Sequence, residues 1–101
     1  MRYTRLATYD VTDGTFPELT NIIARGLLPL FEQEPGFVNY GLVDTGHKKV
    51  VSISIWESHE EAEKSVMTAA TWLEQNLANR VHLVNSQVGH MALFNGKPAV
   101  A

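Results

Sequence analysis

Cysteine is absent from the chain, which excludes disulfide stapling, a thiolate nucleophile, cysteine-ligated iron–sulfur clusters and cysteine zinc sites. Basic residues are few: 8 Lys and Arg stand against 11 Asp and Glu, a formal net charge of -3. Nucleic acid and anionic lipid both need clustered positive charge, and the sequence offers no such strip. No apolar run approaches the ~20 residues of a membrane span. Met1-Arg2-Tyr3-Thr4-Arg5 opens without an apolar signal segment, and no glycine-rich phosphate loop follows a strand. These absences point to a cytoplasmic protein without a membrane or nucleic-acid partner. Charged residues are 19% of the chain, below the ~25% of average globular usage, while apolar residues reach 45%. That balance describes a folded domain, neither a disordered tail nor a supercharged surface.

The 101 residues suffice for one domain, read as 1–95, with a loose tail at 96–101. Tyr3 to Val11 reads as a strand, with Leu6 and Thr8 on one face and Ala7 and Tyr9 on the other. Thr15 and Glu18 then make a capping box around Pro17. Leu19, Ile22, Ile23, Leu27 and Leu30 follow as an apolar stripe at helical spacing. Gly26 lies on that stripe, where a missing side chain lets a neighbouring helix come close. Pro29 forfeits the bond to the Arg25 carbonyl, so a bent or frayed last turn is expected.

Pro35-Gly36 stops the helix. Phe37–Asp44 and Lys49–Trp56 read as an antiparallel hairpin turning near Thr45-Gly46, its second strand rich in β-branched residues. Ser58 and Glu61 cap a second helix, whose stripe runs through Ala62, Val66, Ala69, Ala70, Leu73 and Leu77 with Trp72 on the flank. The helical signal fades near Asn79 and either extends or restarts as a separate turn to His82 or Val84, and Val88–Phe94 reads as the closing strand. The order β-α-β-β-α-β is the α+β, ferredoxin-like split βαβ layout, with a four-stranded antiparallel sheet. Two helices cover one side of such a sheet, yet Val51, Ile53 and Ile55 share one face while Val50 and Trp56 occupy the other. Apolar residues on both faces call for a second cover, and a copy of the same chain across a two-fold axis is the simplest.

Pro35-Gly36-Phe37, then Ser54-Ile55-Trp56-Glu57-Ser58 before the acidic helix start Glu60-Glu61-Ala62-Glu63, then Trp72-Leu73-Glu74-Gln75-Asn76-Leu77 leading to Val88-Gly89-His90, appear in this order. In this order and spacing, from Tyr3 to Phe94, the chain resembles the antibiotic biosynthesis monooxygenase-like superfamily. The resemblance implies a dimeric α/β barrel: a ferredoxin-like monomer packing its sheet on its partner's, with a pocket between sheet and helices. It also implies a range of activities, among them cofactor-free oxidation of electron-rich polycyclic phenols, and haem degradation. Haem-degrading members carry an Asn on the first strand, where this chain has Leu6, Ala7 and Thr8, so that pattern is not matched.

Imidazole is the natural proton shuttle near neutral pH. His47, in a turn, and His59, in a first helical turn, read as solvent-facing. His90 shares a strand face with Val88 and Ala92, where a polar group must be hydrogen-bonded or functional, so it is the candidate catalytic base. Tyr40, Trp72 and His82 are the candidate substrate-binding residues. Tyr40 can stack on a planar substrate and position an oxygen, Trp72 is either a packing residue or an aromatic wall, and His82 follows a helix end. The run from His59 to Glu63 has glutamate where a zincin helix needs its second histidine, so neither a metal nor a cofactor site is assigned.

The functional expectation is a small cofactor-independent monooxygenase acting on a hydrophobic or aromatic substrate. The alternative is a non-catalytic dimer that binds a small ligand or serves as an assembly scaffold, and composition leaves both open.

Overall fold

A computed structural model describes residues 1–98 of the chain. Strand β1 (Tyr3–Val11) leads through a turn to helix α1 (Phe16–Glu32), strands β2 (Phe37–Gly46) and β3 (Lys49–Trp56), helix α2 (His59–Leu77) and strand β4 (Val81–His90). Two short strands, β5 (Leu93–Phe94) and β6 (Lys97–Pro98), pair with each other beyond it. The sheet order is β2-β3-β1-β4 with antiparallel neighbours, the ferredoxin-like arrangement. Residues 96–98 of the expected tail thus include β6, and 99–101 lie outside the described residues. No helix among the described residues is long and apolar enough to cross a membrane.

Local sequence sets both helix starts. The Thr15 hydroxyl accepts from the Glu18 amide at 3.3 Å, and the Ser58 hydroxyl from the Glu61 amide at 3.2 Å. α1 continues through Pro29 to Glu32, and Phe31 rather than Leu30 is its last buried residue. Phe31 explains why the end does not fray: its ring meets Trp56 edge-on at 5.2 Å and Tyr40 at 5.4 Å, anchoring the last turn to the sheet.

Trp72 also departs from the expected flank position. It is buried between the helices, seated where Gly26 leaves room. A Cβ built on Gly26 would lie 2.7 Å from Trp72 Cε2, so only glycine permits this approach.

Three strand boundaries differ from expectation, the end of β2 and both ends of β4. β2 runs on to Gly46, and the hairpin turns on His47 and Lys48 alone, with φ of 55° and 58°. Both residues sit in the left-handed region that a two-residue hairpin turn requires. β4 begins at Val81, beside Val11, because the chain reverses at 78–80: the Arg80 amide bonds the Leu77 carbonyl at 2.9 Å, and the Thr12 amide bonds the Arg80 carbonyl at 2.8 Å. Leu83 and Val84 suggested a continuing helix because the extra residue at the β1–β4 bulge breaks the strict alternation of a strand.

The face toward the helices carries Arg5, Ala7, Tyr9 and Val11 from β1, and Val50, Ser52, Ser54 and Trp56 from β3. The opposite face presents Leu6 at 39% and Val43 at 44% exposure, with Val51, Ile53 and Ile55 half-buried.

Candidate functional site

Between the helix-covered face of the sheet and α1 lies an apolar cavity with about 20 Å³ of free space, room for about one water. Its walls include Phe16, Leu19, Ile23 and Leu27 from α1 and Leu73 from α2. The polar residues among its walls are Tyr9, Tyr40 and Ser52 from the strands and Thr20 from α1, whose hydroxyl is already donated to the Phe16 carbonyl at 2.8 Å. Period-two alternation brings the strand residues together, since Tyr9 in β1 and Ser52 in β3 both point inward and Tyr40 in β2 pairs opposite Ser54.

The hydrogen bonds at these phenols are ordered. Arg5 Nη2 donates to the Tyr9 oxygen at 3.3 Å, and Ser52 Oγ donates to the Tyr40 oxygen at 3.3 Å. Each phenol therefore accepts from the protein and keeps its own O–H for something else. Burial, opposed in part by the Ser52 hydrogen bond, holds the Tyr40 phenol above its ordinary pKa, so it stays a neutral donor. Phenol O–H donors in an apolar cavity can stabilise an oxygen anion better than water does.

Arg5 is 3% exposed and lies on the same face as Ala7 and Tyr9. Its Nε donates to Ser86 Oγ at 3.1 Å. Alongside the cavity, between α2 and β4, runs an open groove of about 300 Å³, at the small end of ligand-site volumes. Arg5 and Glu74 contribute its polar lining, His82 borders it from a position that alternates to the open sheet face, and Tyr9, Leu73 and Val81 line both the groove and the inner cavity. The two spaces are thus adjoining compartments with a common wall.

The residues singled out in the sequence divide among three places. Tyr40 is in the cavity and His82 borders the groove. Trp72 packs between the helices, lining neither of these spaces. His90 is exposed at the last position of β4, its ring 5.4 Å from that of Tyr3. Tyr3 and Tyr9 stand six residues apart along β1, so His90 is about 20 Å from the Tyr9 end of the cavity. The face shared with Ala92 does not form, because β4 ends before Ala92. Arg5, Tyr9 and Ser52 were not singled out. The alternation Arg5-x-Ala7-x-Tyr9 held the signal, a charged residue on a face with apolar neighbours, but not which face is covered.

Among the described residues, no group of three or more His, Asp or Glu side chains is placed to hold a metal ion.

The fold resembles that of SnoaB, a cofactor-independent oxygenase from Streptomyces nogalater, with TM-score 0.71 and 17% identity over 95% of this chain and 98% of that one. A putative antibiotic biosynthesis monooxygenase from Chloroflexus aurantiacus superposes with TM-score 0.68 at 15% identity, covering 95% and 98% of the two chains. A haem-degrading protein from Mycobacterium tuberculosis gives TM-score 0.60 at 20% identity, covering 95% and 100%. Identities this low establish likeness of fold alone. No curated protein matches the sequence significantly. The family model for antibiotic biosynthesis monooxygenases matches residues 2–72, well over half of the chain, and the protein belongs to that family.

Proposed function

We propose that the protein is a cofactor-independent monooxygenase acting on an electron-rich aromatic substrate of the phenol or anthrone kind. The observation that carries this reading is the pair of phenols, Tyr9 and Tyr40, whose oxygens already accept from Arg5 and Ser52 and whose O–H groups are left for a ligand. Family membership supports it. In the proposed reaction the substrate loses a proton and its oxygen becomes an anion held by the two phenols. The electron-rich anion reduces dioxygen, the radical pair joins as a carbon-bound peroxide, and loss of water leaves a carbonyl. The balance is CH2 + O2 → C=O + H2O, with the substrate supplying the electrons. The proton is taken up by water, since His82 borders the groove but pairs opposite Asp10, so alternation turns its ring to the open face of the sheet. His90 stands too far from the cavity for this role.

Oxygen uptake with anthrone tests the reading. Expected are one dioxygen consumed per anthrone above the buffer rate, no free peroxide, and one labelled oxygen in the product from labelled dioxygen. Tyr40→Phe and Tyr9→Phe are each expected to lower turnover about 10²-fold or more while leaving the fold intact. Uptake no faster than buffer across a panel of polycyclic phenols would overturn it. The alternative is a non-catalytic small-ligand binder, in which case the same panel binds without consuming oxygen.

We further propose that a second copy of the chain covers the open sheet face. Leu6, Val43, Val51, Ile53 and Ile55 form an apolar surface there, with Thr4 and Thr8 between them, and two-fold packing would bury it.

A further inference from the structure

We propose that the groove between α2 and β4 is a binding site for a flat aromatic anion, with Arg5 as the residue that receives its charge. Arg5 is a buried guanidinium without a counter-ion. It is 3% exposed, and its hydrogen bonds go to two neutral oxygens, Ser86 Oγ and the Tyr9 phenol. Among the described residues no carboxylate lies within 4.0 Å of it, although Arg2, Lys49, Lys64 and Arg80 all have acidic partners. A guanidinium carries five N–H donors in a planar fork matched to a carboxylate, and two of these bonds do not satisfy it. An isolated buried cation is expensive, and an apolar residue of similar length would pack more favourably between Ala7 and the helix. The unmet charge faces a place a ligand can reach, because Arg5 itself lines the groove.

The remaining walls decide what accompanies the charge. Val66, Ala70 and Leu73 from α2 face Val81 and Leu83 of β4, leaving an apolar slot suited to a ring. Glu74 also lines the groove without pairing to Arg5 and would repel a second negative charge, which restricts the ligand to a single oxyanion. This inference goes beyond the oxygenase reading and needs neither oxygen nor turnover.

The test uses 2-naphthoate and its uncharged counterpart 2-naphthylmethanol, titrated calorimetrically into the intact protein. The wild type is expected to bind the acid at least 10-fold more tightly, with movement of the Arg5 Nε–H resonance on binding. Arg5→Met should erase the preference, Arg5→Lys should reduce it by removing the fork, and Glu74→Gln should tighten acid binding severalfold. Glu74→Gln changes an exposed position, so it reads the same electrostatics even if the Arg5 variants fail to fold. Equal affinity for acid and alcohol, acid binding unaffected by Arg5→Met, or no gain with Glu74→Gln would each overturn the proposal. Naphthoate has no oxidisable methylene, so failure of oxygen uptake and failure of this binding are separate results.

Discussion

Tyr40 and Arg5 have the same kind of problem, a polar group pressed into an apolar space, and resolve it differently. Tyr40 does so by staying neutral. Burial raises its phenol pKa above the ordinary value of about 10, and the Ser52 hydrogen bond only partly opposes this. The unfolded chain then ionises first as pH rises. Stability linked to Tyr40 is fully present below about pH 10 and is lost as pH climbs through the raised folded value. Ultraviolet titration should show one tyrosine ionising late, and Tyr40→Phe should make alkaline unfolding less steep. Arg5 cannot deprotonate, and it remains an uncompensated charge. Arg5→Met is therefore expected to raise stability by about 1 kcal/mol or more in urea denaturation, although it removes the proposed ligand contact. A protein destabilised by that change would instead mean that the bonds to Ser86 and Tyr9 outweigh desolvation.

Among the elements, the contact of α1 with α2 is the most sharply constrained. Gly26→Ala would put a methyl group into the Trp72 ring, and overpacking of this sort costs about 1–3 kcal/mol. Trp72→Phe in the same chain should recover part of that loss, a coupling that a double-mutant cycle in urea measures directly. The helix starts were legible in the sequence because a cap is local: Thr15 and Ser58 bond amides three residues on. β3 was legible because Val50, Val51, Ile53 and Ile55 favour a pleated surface wherever they sit. The start of β4 was not, since pairing of Val81 with Val11 is a long-range contact and the residues around it fit a helix nearly as well. The candidate site was half legible. Tyr40 and His82 carry recognisable chemistry on their own, whereas Arg5 matters only once α2 lies over it and no acid arrives.

For the whole molecule, the two faces of the sheet give different expectations. The helix-covered face is complete within one chain, while the face bearing Leu6, Val43 and Ile53 is open. Light scattering at micromolar concentration is expected to give twice the chain mass of 11.2 kDa, and Ile53→Lys, central on that face, should shift the protein toward monomer. A wild type that scatters as a single chain would remove the two-fold packing and leave the inner site untouched.

The indole wedged over Gly26 also limits how the inner cavity can admit anything larger than water. With the two helices riveted at that point, prising them apart would tear out the rivet, and the thinner barrier is the wall of Tyr9, Leu73 and Val81 that cavity and groove share. Rotation of a side chain in that wall falls on the nanosecond scale, far faster than any parting of the helices. Shaving Leu73 to alanine should speed guest entry far more than any loosening of α1.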